Sequence, residues 1–279
     1  MKTALINFPR QVAYGEGAIE NIKEKVEGYL RIGLLSYGSS GKNKGYKRII
    51  EILEDTNKEY FEIKDLPKEP SYLDVQKLYD QIKDENIDLL IAFGGGSVID
   101  SAKLISVMSE EISVKDLIED SSKAKKRIET VVVPTTCGTG AEATPNSIVL
   151  IPEKDLKFGI VNGAMLPDLV ILDPISIENL PKKMIAYTGV DALCHAIECY
   201  TSKKANDISN LFALEALKLI YENLELAYVD ENMEAKQNML LAAYYAGIAI
   251  AAAGTTAVHA LSYPLGGKYR LAHGLSNAI

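Results

Sequence analysis

The chain has 279 residues, 47% of them hydrophobic and 24% charged, with a formal net charge of -8. That length supports two cores, and an acidic balance without a basic stripe excludes a general nucleic-acid binder. Its three cysteines, Cys137, Cys194 and Cys199, are odd in number and not spaced as zinc ligands, which fits a reducing cytoplasm rather than a disulfide framework.

In chain order, the N-terminal residues lack the apolar core of a signal peptide. Residues 11–29 read as a short strand and turn, followed by an amphipathic helix from about Ala18 to Tyr29. The apolar run 31–37 reads as a buried strand, and a helix from about Tyr46 to Glu54 follows the Gly38-Ser39-Ser40-Gly41 turn. Residues 60–63 form a second strand, and Ser71 caps a helix running to about Asp84. Further strands are expected over 87–93, 130–134, 147–152 and 169–172. Strands alternating with helices predict an open, mostly parallel sheet. After Pro181 helical periodicity takes over, so a boundary falls near residue 180. It divides an α/β domain (1–180) from an all-α domain (181–279). Residues 238–267 carry no Asp, Glu, Lys or Arg, but the small residues, His259 and two Thr within them suit a buried helix better than a membrane span.

Two loops follow strands. Gly94-Gly95-Gly96-Ser97 opens a helix that includes Asp100, and such glycines let backbone and helix N-terminus approach a pyrophosphate. It does not match G-x-G-x-x-G, and a plain tight turn accounts for it as well. The loop 134–142, with Thr135, Thr136 and Thr139, alone is only a polar turn. Beside the first loop it outlines a dinucleotide cleft.

The helical half holds all three histidines. Asp191 and His195 are four apart on a predicted helix and share a face. A solvated acid beside a core histidine would look the same. However, His195, His259 and His273 each sit in a Gly-, Ala- or Pro-punctuated apolar context, which favours a first shell of one carboxylate and three imidazoles for Fe(II) or Zn(II).

The motifs GGGSVIDSAK (94–103), PTTCGTGAE (134–142), TGVDALCHAIE (188–198), HALSYPLGG (259–267) and HGLSNA (273–278), in that order, resemble the iron-containing alcohol dehydrogenase family across essentially the whole chain. The resemblance implies a Rossmann-like domain, then a helical metal domain, as in the dehydroquinate synthase-like superfamily. It implies Asp191, His195, His259 and His273 as metal ligands and the catalytic centre. Gly95, Gly96, Ser97 and Asp100 would contact the pyrophosphate; Thr135, Thr136 and Thr139 would lie further along the dinucleotide. Lys157 is similar to the family lysine that reaches the cofactor ribose, although a surface lysine on a strand fits equally. NAD-preferring members tend to carry Asp where this chain has Gly38, followed by Ser39, Ser40, Lys42 and Lys44, which resembles the NADP-using butanol dehydrogenase branch. The chain departs from many members in having Tyr263 four residues after the third ligand, where they carry a further His. Members also continue for roughly a hundred residues past the last motif, so a fragment is expected.

The expected activity is hydride transfer between NADP or NAD and a primary alcohol or aldehyde, by a cytoplasmic homo-oligomer with no nucleic-acid or membrane partner. Rival expectations are a glycerol dehydrogenase-like or dehydroquinate synthase-like enzyme, or an inactive dinucleotide-binding remnant.

Overall fold

A computed structural model of the chain describes residues 5–230, 232–262 and 273–278. The chain first builds a six-stranded parallel sheet from β1 (Gln11–Tyr14), β2 (Arg31–Ser36), β3 (Glu59–Ile63), β4 (Leu89–Gly94), β5 (Glu129–Pro134) and β8 (Leu169–Leu172), in the spatial order β1-β8-β5-β4-β2-β3. The central strands are continuous apolar runs because both faces are covered. Ile32, Leu34, Ile91, Phe93, Val131 and Val133 face α1 (Asn21–Val26) and α2 (Lys44–Asp55). Leu35, Leu90, Ala92, Val132 and Val170 face α3 (Tyr72–Ile82), α4 (Gly96–Ile105) and α5 (Val114–Glu119).

After β2 the chain moves outward to β3, then returns to place β4 on the other side of β2. The order therefore reverses between β2 and β4. In an open α/β sheet, the crevice at the carboxyl ends of such a pair is the ligand site.

Two expectations change. The run 147–152 belongs to β6 (Asn146–Ile151), which pairs antiparallel with β7 (Leu156–Val161) as a separate hairpin. Its alternating burial marks a half-covered ribbon, whereas a central strand is buried throughout. The helix expected over 18–29 is instead a 3-10 turn (Ala18–Glu20) and the six-residue α1, entered from the left-handed Gly17. Ser71 does cap α3, in a reciprocal capping box with Asp74.

From Lys182 onward the described residues are helical or loop: α6 (Lys182–Thr201), α7 (Asp207–Val229), α8 (Met233–Ala253), a helical segment at 257–262 and a terminal helix, His273–Ala278. Ile185, Ala192, Ile220, Met239 and Leu240 form a core among α6, α7 and α8. Among the described residues no helix is long and apolar enough to cross a membrane.

Candidate metal and dinucleotide site

The two glycine loops leave neighbouring strands, β4 and β5, and pack on each other. Thr135 N–H donates to Gly94 O at 3.0 Å. A Cβ on Gly95 would lie 3.2 Å from Thr136 Cγ2, and one on Gly96 would lie 3.0 Å from Thr139 Cγ2. The glycines are therefore needed for loop-to-loop approach as well as for backbone exposure. Among the described residues no side chain caps α4, a helix N-terminus of the kind that suits an anion. Ser97 Oγ donates to Lys68 O at 2.9 Å.

Asp100 turns inward. Its carboxylate accepts from Lys103 Nζ at 3.2 Å and Ile148 N at 3.1 Å. Lys103 is wholly buried and also donates to Thr144 Oγ1 and Asn146 O. The carboxylate thus braces the β6–β7 hairpin against α4. Burial pushes the acid up and the amine down, while their mutual attraction opposes both shifts.

Gly38 follows β2 at the same edge of the sheet, with open space where a side chain would stand, and Ser39 leads into a 3-10 turn. Lys44 is paired with Glu178 at 2.7 Å, so it is not held toward this turn. Lys157, on β7, is paired with Glu69 at 2.8 Å.

The second loop also meets the helices. Gly140 takes a left-handed φ of 59°, and a Cβ there would strike the backbone of Ala243 and Gly247 on α8. This seats the cofactor-side loop on the helical layer.

On α6, Asp191 and His195 share a buried face and are joined there by His259 and by His273 from the terminal helix. Asp191 Oδ1 lies 3.9 Å from His195 Nε2, 3.7 Å from His259 Nε2 and 3.5 Å from His273 Nε2. All four donor atoms fall within 4.8 Å of one another. A tetrahedral cation with bonds of about 2.1 Å needs donor separations of about 3.4 Å, so a small inward adjustment would close the shell. The side chains of Asp191, His195 and His259 are at most 6% exposed, whereas that of His273 is 32% exposed, which leaves one side open.

Hydrogen bonds orient the rings. His195 Nδ1 is 3.2 Å from Gly138 O; a carbonyl only accepts, so Nδ1 carries the hydrogen and Nε2 keeps its lone pair. Asn277 Nδ2 donates to Asp191 Oδ1 at 2.5 Å and lies 3.2 and 3.4 Å from the Nε2 atoms of His259 and His273. The amide hydrogens are thus held among the four donors, and among the described residues its buried Oδ1 has no partner. The donor set, and a hydrogen-bond donor held at its centre, fit a divalent metal.

Burial alone would raise the Asp191 carboxyl, but the adjoining imidazoles outweigh it and hold the group well below the usual range. Burial pushes His195 down to about 4, against the pull of Asp191. Burial also lowers His273, whereas at His259 the neighbouring carboxylates of Asp191 and Glu198 overcome burial and raise it. A neutral His195 is ready to ligate at neutral pH.

The sequence reading missed Glu198 and Asn277. Each has a helical-spacing signal: Glu198 falls three residues after His195 and seven after Asp191, and Asn277 four after His273. Tyr263 lies outside the described residues.

Residues 9–174 match the family described as iron-containing alcohol dehydrogenase, and residues 185–279 match the C-terminal part of the Fe-containing alcohol dehydrogenase family. The chain is 37% identical over 237 residues to 4-hydroxybutyrate dehydrogenase of Clostridium kluyveri, covering 84% of this chain and 64% of that protein. It is 32% identical over 277 residues to an alcohol dehydrogenase of Thermococcus barophilus, covering 96% of this chain and 72% of that protein. The chain therefore spans less than two thirds of the length of the first relative. An iron-containing alcohol dehydrogenase from Thermotoga maritima superposes with a TM-score of 0.90 at 34% identity, over 99% of this chain and 76% of that one. The chain belongs to the iron-containing alcohol dehydrogenase family.

Proposed function

We propose that the protein transfers a hydride between a nicotinamide dinucleotide and a primary alcohol or aldehyde, with Asp191, His195, His259 and His273 holding Fe(II); Zn(II) suits the same donors. The observation that carries this is the convergence of those four donor atoms within 4.8 Å, one of them on an imidazole whose other nitrogen is bonded to the loop after β5. In this reading residues 1–180 form the cofactor domain and 181–279 the metal domain.

Bound at these residues, the cation would supply Lewis-acid polarisation of a substrate oxygen and the dinucleotide the hydride. Asp191 would compensate the metal charge, His195, His259 and His273 would hold it through neutral imidazoles, and the partly exposed His273 marks the side open to substrate. Gly95, Gly96 and Ser97 receive the pyrophosphate on backbone N–H groups, with Thr135, Thr136 and Thr139 further along. Asp100 braces the β6–β7 hairpin against the helix that this loop opens. Lys157 stands on the hairpin beside the cleft, and release from Glu69 would let it reach the ribose.

The turn after β2, with Gly38 and Ser39, supports NADP, since it offers no carboxylate to repel a 2′-phosphate. The Clostridium kluyveri relative is named for a primary alcohol that carries a carboxylate, which favours short hydroxyacids among the substrates. Three free cysteines support a cytoplasmic, reducing setting, and a homo-oligomer is the proposed assembly.

The test is metal analysis of anaerobically purified protein, with NADPH and NADH oxidation by butanal and by succinic semialdehyde measured before and after chelation. Glycerol with NAD serves as the rival substrate. Dinucleotide binding without metal-dependent turnover would establish the inactive-remnant alternative instead.

A further inference from the structure

Glu198 makes a set of contacts that no metal ligand accounts for. Its Oε1 accepts from Thr256 N at 2.9 Å, Thr256 Oγ1 at 2.9 Å and Val258 N at 2.8 Å. Its Oε2 faces His259 Nδ1. The side chain is 4% exposed, and a carboxylate buried this deeply persists only when its oxygens are paired. An ionised carboxylate can only accept, so the hydrogen must sit on His259 Nδ1. That leaves the Nε2 lone pair directed at the cluster, 3.7 Å from Asp191 Oδ1.

The other three bonds reach the chain at Thr256 and Val258, where the helical segment bearing His259 begins. One carboxylate on α6 therefore caps this segment and selects the ring tautomer. Asp191, His195 and Glu198 lie on one face of a single helix, so α6 supplies two ligand candidates and the support for a third.

We infer that Glu198 is a positioning residue that presets His259 for the cation, fixing both the place and the tautomer of the ring before metal arrives. This rests on the metal reading of the same site. Carboxylates that accept from a ligating imidazole also increase its basicity, and losing one typically costs 10–100-fold in metal affinity.

Glu198→Gln separates this role from simple capping. The amide oxygen can replace Oε1 and keep the three bonds to Thr256 and Val258. The amide nitrogen then faces His259 Nδ1 and can only donate, so Nδ1 must accept and the ring proton moves to Nε2, where it blocks ligation. Zn(II) and Co(II) affinities of the full chain would be measured by chelator competition, together with the Co(II) visible absorption and the melting temperature of the metal-free protein. The expected result is 10–100-fold weaker metal binding and an altered Co(II) spectrum, with the metal-free melting temperature close to wild type.

Equal metal affinity in the variant and the wild type would overturn the inference while leaving the metal site standing. A wild-type protein that binds neither ion would overturn the metal reading and this inference together. If the variant does not fold, long-range proton–nitrogen spectra of the metal-free wild type at alkaline pH decide. A proton on His259 Nδ1 is expected, and a proton on Nε2 would overturn the assignment.

Discussion

His195 Nδ1 lies 3.2 Å from the carbonyl oxygen of Gly138, so a ligand candidate on α6 is hydrogen-bonded to the loop that follows β5. The two halves of the site share this contact. A Cβ on Gly138 would come within 2.8 Å of three atoms of Thr188, two of them backbone, so neither neighbour yields without moving α6 or the loop. Gly138→Ala is expected to destabilise the fold by about 1–3 kcal/mol through overpacking. It should also weaken metal binding by about 10-fold or more by displacing the carbonyl that orients His195. Urea denaturation and chelator competition measure the two effects. Unchanged metal affinity would mean that the carbonyl does not orient the ring.

Removing one member of the Asp100–Lys103 pair should be costly, because Lys103 is fully buried and its loss strands a carboxylate. Lys103→Met is expected to destabilise by about 3–5 kcal/mol. Adding Asp100→Asn should recover a large part of that, since the amide can still accept from Ile148 N without a buried charge. A double-mutant cycle by urea denaturation measures the coupling, and additive losses would argue against it.

Glu142 gives the chain a pH-dependent stability. It is 2% exposed, and burial raises its carboxyl from 4.5 to about 7. The folded state therefore binds this proton more readily than the unfolded state. Its contribution is full below pH 4.5 and is lost as pH rises through about 7. Glu142→Gln should flatten that decline and make the protein more stable than wild type above it. Melting temperatures across the pH range measure this, and a parallel profile in the variant would refute it.

The glycine loop should respond to the smallest side chain. Gly96→Ala places a methyl 3.0 Å from Thr139 Cγ2, tight enough to force the loops apart. Dinucleotide affinity is expected to fall about 10-fold, roughly the 1–3 kcal/mol range of such overpacking, with metal affinity unchanged. Adding Thr139→Ser removes the facing methyl and should restore part of it. Fluorescence titration with NADPH measures both.

The central strands, buried on both faces, were the plainest in the sequence, and the more exposed edge strands β1 and β3 were read from shorter runs. Residues 169–172 read directly as β8, and the apolar run ending in glycines became β4 with α4 behind it. The β6–β7 ribbon was harder: Ser147 to Pro152 looked like another sheet strand, and Gly159 broke the pattern of β7, because only pairing partners distinguish a covered hairpin from a sheet strand. The four ligand candidates were legible because histidine is scarce, with three in the chain. Glu198 was hidden among 38 acidic residues; its significance depends on residues 256–259 folding back beside α6, a contact that helical spacing alone does not encode. Lys157 looked like a cofactor contact by its motif, yet Glu69, 88 positions away, holds its amine.

Cys194 Sγ lies 3.5 Å from Asn277 O, so the terminal helix is docked against α6 where the second and fourth ligand candidates meet. His273 follows the whole α/β half in sequence, so a ribosome must make that half before the four donors can coexist. Cation capture therefore comes after synthesis of the nucleotide half, a clasp fastened once that half can take shape. Starving cells of metal should leave the nucleotide half folded and the helix His273–Ala278 loosened, which limited proteolysis would reveal as early nicks near that helix.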